Sequence, residues 1–250
     1  MTGPQVMIVT GGGRGIGAAT ARLAAGRGYA VCVNYLSNAE AADAVVRDIE
    51  AAGGRGLAVQ ANVAAEAEVE RLFAAVDREL GPVTALVNNA GLAGPIDRLD
   101  AAPSETIRQV IEVNVFGAIW CARAAVQRTS TRHGGQGGAI VNLSSGAASL
   151  GSPGNYVWYA AAKGAVDSFT IGLAREVARE GVRVNGVAPG YVKTEIHADS
   201  GMPDRLETEA PNVPLGRAAE PEEIAETILW LLSPAASYTT GATLRVAGGR

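Results

Sequence analysis

Within its first seventeen residues the chain passes from a short apolar run, Val6-Met7-Ile8-Val9, through Thr10-Gly-Gly-Gly-Arg-Gly-Ile-Gly17, and straight into an alanine-rich stretch from Ala18. A buried strand, a glycine turn and a helix in that order leave few folds open. Glycine allows a tight turn and lets bare backbone amides approach a phosphate group closely. The helix start that follows adds a favourable dipole for an anion.

The alternation continues along the chain. Ala30–Asn34 is a second apolar run, and 38–51 a second helix ended by Gly53-Gly54. Residues 56–60, 85–87, 139–143, 182–187 and 244–246 read as further strands. Helical spacing predicts helices over 66–80, 104–128, 156–180 and 221–232. Strands separated by helices, with strands that read as unbroken apolar runs, mean a parallel sheet covered on both faces. Right-handed crossovers then predict one doubly wound α/β domain of seven parallel strands over residues 1–250. Two stretches break the pattern. Residues 129–138 are polar and glycine-rich, as in an exposed loop. Residues 191–217 hold Pro203, Pro211 and Pro214 without clean periodicity, as in a lid over a binding site.

Composition narrows the function. With 21 basic and 25 acidic residues, a net charge of −4 and no basic stripe, the chain lacks the clustered cations that nucleic acid or a membrane surface requires. Cys32 and Cys121 lie in apolar runs and read as buried reduced thiols. His133 and His197 have no His or Cys companion at ligand spacing, so no metal is expected. No apolar run suggests a membrane span, and no basic segment precedes a long apolar one near the N-terminus; the cytoplasm is the expected compartment.

The chemistry-bearing residues fall at the ends of these elements. Asn89-Ala90-Gly91 follows the fourth strand, Ser144-Ser145 the fifth, and Pro189-Gly-Tyr-Val-Lys-Thr194 the sixth. Tyr159-Ala-Ala-Ala-Lys163 lies on the long helix between them, where residues four apart share a face. A free tyrosine ionises near about 10 and is a poor acid–base group at neutral pH, but an adjacent ammonium stabilises its phenolate. On that ground Lys163 is expected to lower the Tyr159 pKa. Asn114, mid-helix against its propensity, also asks for a reason.

The spacing Gly11, Gly15, Gly17, together with 88–91, Ser145, Tyr159, Lys163 and 189–194, resembles the short-chain dehydrogenase/reductase family over nearly the whole chain. The resemblance implies a nicotinamide cofactor held by Gly11, Gly13, Arg14, Gly15, Ile16, Gly17, Tyr35, Ser37, Asn62, Val63, Asn89, Ala90, Gly91, Tyr159, Lys163, Pro189, Gly190, Val192 and Thr194. Tyr35 stands where the family carries an acid that repels a 2′-phosphate, and Arg14 supplies a cation that no anion opposes, so NADP(H) is the expected cofactor. Asn62-Val63 replaces the family's adenine-contacting Asp-Val pair.

The resemblance also implies a catalytic set of Asn114, Ser145, Tyr159 and Lys163. In the family the serine binds the carbonyl, the tyrosine exchanges a proton with it, and the asparagine holds a water that links the lysine to solvent. The usual serine position falls on Gly146, so Ser145 is the expected residue and Ser144 the fallback. The activity implied is interconversion of a carbonyl and an alcohol by hydride transfer on a small-molecule substrate. Sugar or polyol oxidation, 3-oxoacyl thioester reduction and a non-catalytic NADP(H) sensor on the same fold are the alternatives. Trp158 is expected either to pack or to line the pocket. Family members form homotetramers, and the same is expected here.

Overall fold

The computed structural model describes residues 5–250. Seven strands form one sheet: β1 (Gln5–Val9), β2 (Tyr29–Tyr35), β3 (Arg55–Gln60), β4 (Ala85–Asn88), β5 (Gly138–Leu143), β6 (Val182–Pro189) and β7 (Thr243–Val246). Every pairing is parallel and the order is β3-β2-β1-β4-β5-β6-β7. Period-two alternation explains the unbroken apolar runs. Val6 and Ile8 pack into the core on one face of β1, Met7 and Val9 into the core on the other.

Helices α1 (Gly15–Gly26), α2 (Ala39–Ala51) and, late in the chain, Pro221–Leu232 cover the face that holds Met7 and Val9. Helix α3 (Glu66–Glu79) covers the other, with Gly117–Thr129 and Val157–Val177. Numbered in chain order, the remaining helices are α4 (Ser104–Ile111), α5 (Gly117–Thr129), α6 (Ala147–Leu150), α7 (Val157–Val177), α8 (Ile196–Asp199), α9 (Arg205–Glu209) and α10 (Pro221–Leu232). Asn38 starts α2 by accepting from the Ala41 amide at 3.0 Å, and a Glu220–Glu223 capping box starts α10.

The continuous helix expected over 104–128 is instead two helices joined by a π-helical turn, Glu112–Phe116. Asn114 sits in that turn. Its Nδ2 donates to Val110 O at 2.8 Å, four residues back, and to Leu92 O at 2.7 Å, so one side chain both occupies the widened turn and ties it to the loop after β4. Against the expectation that no run suggests a membrane span, the stretch Ser104–Thr129 passes for one by length and mean hydropathy (1.2 in its most apolar window). In the fold Val110, Cys121, Ala122 and Ala125 of this stretch are buried within the protein. The 191–217 segment, expected to lack regular structure, carries the short helices α8 and α9.

Sheet order reverses direction between β1 and β4. In doubly wound sheets that switch point, at the carboxyl ends of the strands, is where ligands bind. Val9 is level with Val33 on one side and Val87 on the other, so the glycine loop, the end of β2 and Asn89–Gly91 all open at one height.

Candidate active site

A cavity of about 1010 Å³ runs along that edge. Its floor begins at the glycine loop. Gly11 (φ 60°) and Gly15 (φ 51°) adopt left-handed backbone, and a side chain on Gly17 would lie 2.5 Å from Gly11 O and from Asn89 Nδ2. Gly17 thus lets α1 pack against the loop from behind rather than lining the cavity. The start of α1 has no side-chain cap, which leaves its first amides facing the cavity beside Gly13 and Ile16. Asn34, a polar residue inside apolar β2, accepts from the Gly11 amide at 3.3 Å and donates to Ala61 O at 3.0 Å. Thr10 Oγ1 accepts from the amides of Asn89 and Ala90, each at 3.0 Å. The two loops therefore form one rigid platform. Asn34 was legible as the one polar side chain in its strand but was not singled out from the sequence.

Tyr35, Ser37, Asn62, Val63, Ala90, Gly91, Pro189, Gly190, Val192 and Thr194 all line the cavity, as expected of them. Asn62 is committed locally: its Oδ1 accepts from the Ala64 amide at 3.0 Å and its own amide donates to Glu68 at 2.8 Å. Arg14 lines the cavity but is not unopposed. Its Nη2 is paired with the Asp199 carboxylate at 2.5 Å, across the chain from the glycine loop to α8. Both side chains are about half exposed (57% and 50%), so the pair is exchangeable.

At the other end Ser145, Tyr159 and Lys163 meet. Tyr159 and Lys163 lie one turn apart on α7, both nine-tenths or more buried, with Lys163 Nζ 5.6 Å from the tyrosine ring centroid. Lys163 Nζ donates to Leu143 O at 2.7 Å. Ser145 Oγ lies beside Tyr159 and accepts from the Ala147 amide at 3.1 Å. Ser144 also borders the cavity, but it is buried and its hydroxyl donates toward Lys163 O at 3.5 Å.

Burial pushes the Tyr159 phenol up to about 12, against an opposing pull from the Ser145 hydroxyl. Burial also holds Lys163 down to about 8, against the Asp167 carboxylate. The expected lowering of Tyr159 by Lys163 is therefore not seen. Desolvation disfavours the phenolate and the ammonium alike where both side chains are buried.

Asn114 does not line the cavity; it stands directly behind Gly91. Its Oδ1 is buried and has no partner among the described residues. A side chain on Gly91 would lie 2.8 Å from that oxygen and 3.4 Å from Lys163 Nζ. Trp158 packs: it is buried and donates to Ala93 O at 3.1 Å. Arg205, Tyr156, His197, Arg245 and Arg250 line the cavity beyond Tyr159; His197 and Arg205 belong to the segment expected to cover the site, and Tyr156, Arg245 and Arg250 were not expected there.

The free amides at α1, the left-handed glycines, the side-chain-free cradle at Gly91 and the partnerless Asn114 oxygen fit a dinucleotide laid from the glycine loop to Tyr159. Comparison with known proteins agrees with this geometry. A family model described as Enoyl-(Acyl carrier protein) reductase matches residues 11–250. An uncharacterized oxidoreductase, YgfF of Escherichia coli K12, is 48% identical over 98% of this chain and 99% of its own. A 3-oxoacyl-[acyl-carrier-protein] reductase of Synechocystis is 41% identical over 98% of this chain and 96% of its own. Among solved structures, a blue fluorescent protein from a metagenomic library, in complex with NADPH, matches with a TM-score of 0.88 and 33% identity over 98% of this chain and 97% of its own. The chain belongs to the short-chain dehydrogenase/reductase family and is an oxidoreductase.

Proposed function

We propose that this protein interconverts a carbonyl and an alcohol on a small molecule with NADP(H), and that reduction is the direction its site serves best. The observation that carries this is the meeting of Ser145, Tyr159 and Lys163 at one end of a cavity whose other end is the glycine loop. When bound, NADPH supplies the hydride. Ser145 and Tyr159 bind the carbonyl oxygen by their hydroxyls and stabilise the charge that develops there. Tyr159, protonated at neutral pH because burial raises its pKa, donates its proton to that oxygen. Lys163 offers a cation to the phenolate left behind. Asn114, behind Gly91, fixes the loop and directs its free Oδ1 toward the lysine side of the site.

Arg14 favours a 2′-phosphate once Asp199 releases it, and Tyr35 in place of a carboxylate does not repel one. The reading is supported by the relative solved with NADPH. Reduction of a ketone with NADPH deuterated at the transferring position tests it. The alcohol is expected to carry deuterium on its carbinol carbon; unlabelled product, or none, contradicts it.

A thioester carried by an acyl carrier protein is the second reading, suggested by the Synechocystis relative. The exposed rim acids Asp204 and Glu207 disfavour docking of an acidic carrier. We also take the protein to be a homotetramer, with Phe116 and Ile171 (45% and 40% exposed) on the outer faces of the helix layer available for subunit contact. A solution mass near that of the 25.5 kDa chain would exclude this.

A further inference from the structure

Arg205, the first residue of α9, is 8% exposed and lines the cavity just beyond Tyr159. A buried guanidinium ordinarily has a carboxylate partner, because an uncompensated buried charge is costly. Arg205 has none among the described residues. Its Nη1 donates to Tyr156 Oη, and its plane stands 5.3 and 5.6 Å from the Tyr156 and Tyr191 ring centroids. Its Nε is buried without any acceptor. Nη2 donates no hydrogen bond among the described residues, so the guanidinium keeps a free donor for a carboxylate oxygen.

The surroundings agree in sign. Arg250 lies 4.3 Å from the Tyr191 ring centroid, and Arg245 donates to Ser149 Oγ at 2.7 Å; both line the same end. His197, held neutral by burial and by Arg205 itself, offers no competing charge. The acids that line the cavity are elsewhere: Asp199 pairs with Arg14, and Glu195 lies beside Gly15. Glu209, the acid nearest by contact, accepts from Tyr191 Oη at 3.4 Å.

We infer that the substrate carries a carboxylate, bound by the Arg205 guanidinium. This rests on the carbonyl-reduction reading above. The distance class follows from the aromatic pair between the two sites. Tyr156 packs edge-on against Tyr159, with ring centroids 5.4 Å apart and planes at 84°. Arg205 is thus one aromatic ring beyond the group that protonates the carbonyl. The carboxylate therefore lies a few carbons from the reacting carbonyl, as in a γ- or δ-oxo acid, rather than adjacent to it.

The test compares levulinate and 5-oxohexanoate with their methyl esters, at matched NADPH, in the wild type and in Arg205→Gln. Each pair presents the same carbonyl with and without the charge. A kcat/KM for acid at least tenfold above that for ester, collapsing toward parity in Arg205→Gln, is expected. Equal or better use of the esters by the wild type overturns the inference, as does an acid preference that survives the substitution. Inhibition of the wild type needs no variant. Butyrate and adipate are expected to compete with a neutral ketone where their amides do not, and equal inhibition by acid and amide also overturns it. Reduction of neutral ketones without any preference for the acids sinks only this inference. Failure to reduce any carbonyl sinks the reading on which it rests.

Discussion

The Arg14 guanidinium of the glycine loop and the Asp199 carboxylate of α8 are ion-paired at 2.5 Å, joining two segments 185 residues apart. The pair holds the proposed reader of the 2′-phosphate against the segment that covers the cavity. An NADP phosphate must displace Asp199 to reach it. Asp199→Asn is therefore expected to tighten NADPH binding about two- to fivefold, in keeping with an exposed pair of up to about 1 kcal/mol, and to leave NADH little changed. Arg14→Leu is expected to erase the preference for NADPH. Fluorescence titration of both cofactors checks this, and an unchanged NADPH-to-NADH ratio in Arg14→Leu contradicts it.

The two adjacent serines separate cleanly. Ser145→Ala removes a hydroxyl beside Tyr159, and kcat is expected to fall by about 10²–10³, the effect of losing one donor to a developing oxyanion. Ser144→Ala removes a hydroxyl facing the Lys163 carbonyl at 3.5 Å, and kcat is expected to change by less than about tenfold. Steady-state kinetics of the two variants decide between them, and the reverse order would reassign the role.

Gly91→Ala tests the cradle. The added methyl would stand 2.8 Å from Asn114 Oδ1 and 3.4 Å from Lys163 Nζ. It is expected to weaken NADPH binding and lower kcat/KM by about tenfold or more, since displacement of catalytic groups by about 1 Å has that scale of effect. Circular dichroism is expected to remain native. Full activity in Gly91→Ala would mean that the cradle is not used.

Lys163 gives the pH dependence its sign. Burial lowers it from 10.5 to about 8, so its ammonium is present below about 8 and lost above it. Reduction needs that cation beside the phenolate, and kcat/KM, which reports groups of the free enzyme, is expected to fall as pH rises through about 8. A profile level to pH 10 contradicts the role given to the lysine.

The sequence and the structure agree best where local chemistry decides. Runs such as Val6–Val9 and Ala85–Val87 became β1 and β4 because strands buried on both faces must be apolar throughout. Tyr159 and Lys163 came together because residues four apart share a helix face. What the sequence hid was set by distant partners. The π-turn at Asn114 accompanies a bond to Leu92, 22 residues away, which local spacing does not show. Burial, which reverses the expected shift on Tyr159, is a property of the assembled pocket. Between His197 and Val213 Arg205 is the one Lys or Arg among four acids, which suggests a solvated side chain, and only the fold buries it against Tyr156 and Tyr191.

Initial rates of carbonyl reduction with NADPH and with NADH, in the wild type and in Tyr159→Phe, test the central claim most directly. Ketones, aldehydes, oxo acids, 3-oxoacyl thioesters and sugars would be assayed together. The expected result is NADPH-preferring turnover in the wild type and a loss of about 10²–10⁴ in Tyr159→Phe with NADPH binding retained. Turnover that survives the loss of the Tyr159 hydroxyl, or tight NADPH binding without turnover of any of these classes, would contradict it.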